Sequence, residues 1–259
     1  MRLLGCDVGA EFIIIHDGKT ATKITTPLEA QAYIKNSDVV ILEQTGAYGV
    51  RWCELFQSLG AKVYIADGRD FKSYRNAYSR KKDDATDALY LIQYYKEKPH
   101  KCRPYNPQQV HIRALIRQHL RNQKDITQHA NRLRQYLAVI YPTEELYNST
   151  RHRLFKNLSQ LIQRLKETPH ALSPLALSEA QKLSICLQEA QHLQEEIISI
   201  ARNHPDYEIL KTFVGLGELT IATLLAYSWD ISTFKSKDSY IAYVLMGTTL
   251  EQSGKSINR

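Results

Sequence analysis

The chain has 259 residues, of which 43% are hydrophobic, and it carries a formal net charge of +7 at pH 7. This apolar content is enough to bury a core and excludes a chain that is disordered throughout. The longest apolar run is about half of the roughly 18 residues that a membrane helix needs, and four scattered cysteines without a CxxC pair exclude a disulfide framework or a zinc ribbon. With no apolar leader pattern, we expect a cytoplasmic protein without a membrane partner.

The first 98 residues alternate strand and helix patterns. The strand predictions are residues 2–7, 11–16, 20–25, 38–43 and 62–66, and the helix predictions are one starting at Thr26-Pro27, one over 48–59 and one in KKDDATDALYL. The run DVVILE at 38–43 is typical of a buried central strand. The order β-β-β-α-β-α-β-α predicts a mixed sheet covered by helices, with the first and fourth strands adjacent in its middle.

From residue 99 three prolines indicate a linker, and long helical patterns follow. The predicted helices cover residues 106–141, 144–167 and 178–202, the last starting at the capping box Ser178-x-x-Gln181. Their apolar stripes predict a bundle or coiled-coil arm. Residues 205–259 return to short helices. We therefore expect three domains, at 1–98, 99–204 and 205–259.

The positive charge is concentrated in one segment. Residues 72–134 hold 15 Lys/Arg against 5 Asp/Glu, while the other 196 residues hold 19 against 22. This distribution indicates a nucleic-acid partner, and the alternative is a solvated helix face. We expect the histidines, His119 and His129 among them, to be surface groups or phosphate contacts. The candidate nucleic-acid contacts are Lys81, Lys82, Arg113, Arg117, Arg121, Lys124 and Arg132.

Four carboxylates stand where such a sheet would bring them together. Asp7 ends the first strand, Glu43 ends the fourth, and Asp84 and Asp87 are spaced to share one helix face. Taken singly, each is more typical of a turn or a helix cap. Four converging carboxylates would repel one another, and Mg²⁺ would relieve the repulsion as a hard cation that prefers oxygen ligands. Two such ions can hold the attacking and leaving oxygens of a phosphodiester.

The motifs GCDVGA, LEQTGAYG and KKDDATDALYL resemble those of the DEDD transposases of insertion sequences of the one-hundred-and-ten type, a group that includes the Piv invertases and the bridge-RNA-guided recombinases. The family pattern K-x-D-x-x-D-A fits Lys82, Asp84 and Asp87 and selects Asp84 over Asp83. The resemblance implies an RNase H-like fold of the RuvC type, with the four acids holding Mg²⁺. It also implies a DNA substrate, a guide RNA and a homo-oligomer joined through the helical arm.

The C-terminal segment resembles the same family. FVGLGELTIATLLAY is similar to its P-G-I-G segment, and the turn with Gly215 and Gly217 would present helix N–H groups to a phosphate; a plain tight turn is the alternative. LEQSGKS resembles the segment with the family's nucleophilic serine, which makes Ser253 the candidate and Ser256 the fallback. Family members normally continue further, so we expect a shortened C-terminal domain.

The combined prediction is an α/β, RNase H-like mixed-sheet domain, a long helical or coiled-coil arm and a small, mostly α-helical C-terminal domain. The predicted function is that of a DNA transposase or site-specific recombinase with magnesium-dependent strand cleavage and exchange by a serine nucleophile. Two alternatives stay open. One is a RuvC-like junction nuclease that uses metal-activated water, and the other is an inactive nucleic-acid-binding remnant.

Overall fold

The computed structural model describes residues 1–43, 46–78, 83–142, 151–234 and 236–243. The chain divides into two compact units, one of residues 1–107 with 232–236 and one of residues 108–231 with those from 237 onward. Within the described ranges, no helix is both long and apolar enough to cross a membrane.

The first unit is built on a mixed sheet of six strands. The strands are β1 (Leu3–Val8), β2 (Ile13–His16), β3 (Ala21–Ile24), β4 (Val39–Glu43), β5 (Lys62–Ala66) and β6 (Cys102–Pro104), in the order β3-β2-β1-β4-β5-β6. β4 is parallel to both β1 and β5, and the other pairs are antiparallel. This confirms the predicted mixed sheet, with β1 and β4 adjacent at its centre, and the arrangement is consistent with an RNase H-like fold.

The predicted linker at residue 99 contains the sixth strand. After a 3₁₀ turn over Pro99–Lys101, β6 pairs with β5 through Ala66 and Cys102. A proline is tolerated here because β6 lies at the edge of the sheet, where a missing N–H removes no ladder hydrogen bond. The strand is too short and too rich in proline for its sequence pattern to reveal it.

Four helices accompany the sheet. They are α1 (Pro27–Tyr33), α2 (Gly46–Ser58), α3 (Gly68–Tyr78) and α4 (Asp84–Glu97). α1 begins where predicted, because the Thr26 side chain accepts a hydrogen bond from the Glu29 N–H. α4 lies directly on β1: a Cβ at Gly5 would overlap the carbonyl oxygen of Ala88. Only a glycine therefore allows this close approach of helix to strand.

The second unit is helical among its described residues. It contains α5 (Pro107–Ile140), α6 (Arg151–Lys156), α7 (Leu158–Glu167), α8 (Ser173–Arg202), α9 (Tyr207–Lys211), α10 (Glu218–Ser228) and α11 (Lys237–Tyr243), with a 3₁₀ turn at Ile231–Thr233. The long helix predicted from Asn106-Pro107 is α5. Two apolar clusters fill the unit, one around Leu133 and Leu183 and one around Ile112 and Ile221.

Two predicted helix boundaries in this unit are wrong. α8 begins at Ser173, where Pro174 stands in the first turn, so Ser178 lies inside the helix and does not cap it. The described part of the predicted helix over 144–167 is divided into α6 and α7 at Asn157. Residues 143–150 lie outside the described ranges.

A buried polar layer joins α5 to α8. The Asn122 amide donates to the Cys186 carbonyl at 2.8 Å, and His129 Nδ1 lies 2.6 Å from Glu179 Oε2. Burial acts to raise the pKa of Glu179, but hydrogen bonds from His129 and Lys182 outweigh it and lower that pKa. His119 is also buried. The expectation that His119 and His129 are surface or phosphate-contacting groups was therefore wrong, since both serve the packing of the unit.

Candidate active site

The pairing of the two central strands sets the positions of Asp7 and Glu43. In the parallel β1–β4 register, Gly5 pairs with Ile41 and Cys6 with Leu42, and the two acids come next on their strands. They therefore stand side by side at the carboxyl edge of the sheet. Asp7 is two residues from Gly5, so it projects from the face of the sheet on which α4 packs. In open α/β sheets, this edge is where sites are usually built.

Asp87 is a buried carboxylate held by one arginine. Arg75 Nη1 on α3 donates to Asp87 Oδ2 at 2.8 Å, and the Asp87 side chain is 5% exposed. The other carboxylate oxygen, Oδ1, is buried and has no hydrogen-bond partner among the described residues. Asp84 is partly buried one turn earlier on α4, whereas Asp83 caps the helix by accepting from Thr86. The structure thus separates Asp83, a capping residue, from the pair that the family pattern selects.

α3 is the element that connects these acids. A Cβ at Gly68 would lie 3.5 Å from Glu43 Oε1, which shows that the helix begins beside Glu43. The same helix contains Arg75, which forms the ion pair with Asp87. A second ion pair, from Lys98 to Asp70 at 2.9 Å, ties α3 to the end of α4. Hydrogen bonds from Lys98 and Lys101 lower the pKa of Asp70. The sequence does not reveal the role of Arg75, because nothing distinguishes it from the other cations of the basic segment.

The donor set fits a hard divalent cation. All four predicted ligands are carboxylates, and the unpartnered oxygen of Asp87 is the kind of atom that a cation would coordinate. In the described part of the chain, no three His, Cys, Asp or Glu side chains are grouped closely enough to hold a metal ion. Arg75 provides positive charge at Asp87.

Four of the predicted nucleic-acid contacts form an exposed basic face on α5. These are Arg117, Arg121, Lys124 and Arg132. They lie opposite the buried stripe of Ile116 and Leu133, and they span about 22 Å of helix. Polyanion binding by this face stays a prediction.

Arg113 has a different environment from the four exposed cations. Its Nε donates to the Ala226 carbonyl at 2.8 Å, and its Nη2 donates to the Tyr227 carbonyl at 3.1 Å. Arg113 therefore secures the C-terminal end of α10, where a cation also opposes the negative end of the helix dipole.

The glycine-rich turn precedes α10 as predicted. Gly215 has a φ of +93°, which requires glycine, and Gly217 is the residue before the helix with no side-chain cap. Glu218 in the first turn accepts from both Arg202 and Tyr207 at 2.7 Å, and these hydrogen bonds lower its pKa. Phosphate binding by this turn stays a prediction. Lys81, Lys82, Ser253 and Ser256 lie outside the described residues.

Comparison with known families decides the class of protein. Residues 16–142 match the model of the DEDD transposases of IS110-type insertion sequences, which is described as Transposase. Residues 16–142 are therefore those of an IS110-type DEDD transposase. The match includes Glu43, Asp84, Asp87 and the basic face of α5, and Asp7 stands before it. The family makes this transposase an enzyme of DNA transposition that binds DNA. No curated protein matches the chain.

Proposed function

We propose that this chain carries out magnesium-dependent cleavage and exchange of DNA strands, with Asp7, Glu43, Asp84 and Asp87 as metal ligands. The observation that carries the proposal is the β1–β4 register, since it sets Asp7 beside Glu43. The packing of α4 on Gly5 adds support, because it brings the helix with the other two acids to the same face of the sheet.

The chemistry expected of the site is phosphoryl transfer. Bound Mg²⁺ would supply the positive charge that polarises the phosphodiester. The protein's own part is to orient the carboxylates: Glu43 rests against the start of α3, and Asp87 is held from one side by Arg75. Because no described residue donates a hydrogen bond to Oδ1 of Asp87, we take that oxygen as the available ligand atom.

The nucleophile proposed for this reaction is Ser253, on the strength of the motif LEQSGKS. In the step we propose, its Oγ forms a bond to phosphorus while one backbone P–O bond breaks, the hydroxyl proton passes to a base, and the departing oxygen takes up a proton. A serine hydroxyl is a weak nucleophile until it is deprotonated. We also propose a guide RNA and a homo-oligomer, because the resemblance to the family implies both.

Trapping of a covalent protein–DNA adduct tests this proposal. We expect the wild-type chain with Mg²⁺, element-end DNA and the element's RNA to form the adduct, and Asp7→Asn or Glu43→Gln to reduce its formation about 100-fold or more. Asp17→Asn is the matched control, because Asp17 is a partly exposed aspartate in a hairpin turn. Unchanged adduct formation in Asp7→Asn would overturn the metal site.

A separate variant tests the assignment of the serine nucleophile. Ser253→Ala should bind DNA normally and form no adduct. An adduct that persists in Ser253→Ala would overturn that assignment. Cleavage to free ends without an adduct would instead favour hydrolysis by metal-activated water.

A further inference from the structure

Two tyrosines form an aromatic surface beside the Arg75–Asp87 ion pair. Tyr78 follows Arg75 by three residues on α3, and Tyr90 follows Asp87 by three residues on α4, so each ring is one helical turn from a member of the pair. The two ring centroids are 5.9 Å apart, with planes inclined by 34°. Tyr78 is 58% exposed. We name the Tyr78–Tyr90 pair the aromatic shelf.

The shelf rests on a row of buried rings. The Tyr74 centroid lies 4.9 Å from that of Tyr78 and 5.3 Å from that of Tyr94, and Tyr94 in turn packs edge-on against Phe71 at 5.5 Å. These three supporting rings are buried in the core of the first unit. Because packed rings hold the shelf from behind, Tyr78 is fixed in place while its outer side faces solvent. Little rotamer freedom then remains to be lost on binding.

We propose that the aromatic shelf stacks on an unpaired nucleobase of the strand whose phosphate reaches the candidate acids. This inference rests on the proposed function, since it assigns a further contact to the same site. One helical turn is about 5.4 Å, a separation within reach of a base and a neighbouring phosphate of one strand. Stacking on an aromatic side chain is worth about 1–3 kcal/mol per base and accepts any base. The base must be unpaired, because both faces of a base inside a duplex are already covered.

The surroundings of the shelf favour a nucleic acid over a protein partner. The surface of two rings is far smaller than the roughly 800 Å² of surface that each partner buries in a stable protein interface. In the sequence, Tyr78 is followed closely by Arg80, Lys81 and Lys82, at the start of the basic segment. Aromatic side chains together with cations are the combination that single-stranded nucleic acids require.

Binding of short single strands in EDTA tests the shelf without any cleavage. The probes are a fluorescent 20-nucleotide DNA and an RNA of the same sequence, measured by anisotropy with the full chain. Tyr78→Ala should weaken binding of at least one probe about 10-fold, which is about 1.4 kcal/mol. Tyr78→Phe should stay within about twofold, because it keeps the ring. Tyr48→Ala is the matched control, since Tyr48 has a similar exposure on α2.

A photo-cross-link locates the contact directly. An oligonucleotide with one 5-iodouracil base should cross-link to the peptide that contains Tyr78 or Tyr90, and the more reactive of the DNA and RNA forms identifies which strand stacks there. The stacking proposal would be overturned if Tyr78→Ala bound both probes as well as the wild-type chain does. It would also be overturned if Tyr48→Ala or Tyr78→Phe lost as much binding as Tyr78→Ala, or if the wild-type chain bound neither probe. A chain that binds through the shelf but forms no adduct under any condition would contradict the proposed function alone.

Discussion

Asp87 is a buried charge whose balance depends on Arg75. The pair is 2.8 Å apart with both side chains mostly out of water, and one carboxylate oxygen accepts no hydrogen bond from the residues that the structure describes. A buried carboxylate needs a counter-charge, because removing it from water costs several kcal/mol. In this conformation the guanidinium meets that need, and it does so at a residue proposed to hold a metal ion.

Arg75→Ala should therefore destabilise the metal-free chain by about 3–5 kcal/mol, since it leaves Asp87 buried without a partner. Mg²⁺ should then raise the melting temperature of Arg75→Ala more than that of the wild-type chain, because a cation can replace the missing charge. Thermal unfolding with Mg²⁺ and with EDTA measures both effects. Arg75→Lys, which keeps the charge, is the control. Equal Mg²⁺ shifts in the wild-type chain and Arg75→Ala would contradict this account.

The contact between α4 and β1 holds the two halves of the candidate site together. Asp7 and Glu43 belong to the sheet, while Asp84 and Asp87 belong to the helix. At the closest point of approach the backbone of Ala88 faces residue 5, where a Cβ would overlap the Ala88 carbonyl oxygen, and glycine has no Cβ. The distance between sheet and helix therefore depends on a single residue type at one position.

Gly5→Ala should move α4 off the sheet, because its Cβ would overlap the backbone of Ala88 rather than a movable side chain. We expect a loss of about 3 kcal/mol in the free energy of unfolding, at the upper end for an overpacked core, together with loss of adduct formation. Denaturant unfolding and the adduct assay measure these. Gly18→Asn is the control, because asparagine tolerates the left-handed φ of +92° found there. Wild-type stability in Gly5→Ala would show that the helix does not lie this close.

The charge of the chain is distributed unevenly, and the structure divides the basic segment by role. Arg75 balances an acid, Arg113 holds the end of α10, and the face from Arg117 to Arg132 is exposed. Only the exposed group is expected to act through long-range attraction to a polyanion, because the other two cations are already engaged with protein groups.

Substitutions on the exposed face should change the salt dependence of DNA binding. For Arg117→Gln, Arg121→Gln or Lys124→Gln, the slope of log K against log salt should fall by about 0.9 for each lost duplex phosphate contact. Stability should be unchanged in these variants. Lys19→Gln, an exposed charge on a hairpin turn, is the control. Arg113→Ala should instead lower the melting temperature, since it removes two hydrogen bonds. An unchanged slope in all three face variants would mean that the face does not bind DNA.

Local patterns in the sequence predicted much of the fold. β1, β4 and β5 were predicted within a residue or two, because a buried strand between helices is a continuous apolar run. The start of α8 was missed because Ser178 fits a capping box equally well within a helix, where Pro174 provides the actual start. β6 was missed because its pairing with β5 is a long-range property that three residues cannot signal.

The sequence by itself determined the family, the adjacency of the first and fourth strands and the choice of four candidate acids, since these follow from motifs and from the period of apolar residues. Only the tertiary structure decided that Arg75 balances Asp87, that Gly5 admits α4 and that Arg113 holds α10. These roles depend on residues far apart in the chain coming together. The sequence does not distinguish the arginines of the basic segment from one another, because their roles depend on partners that only the fold brings close.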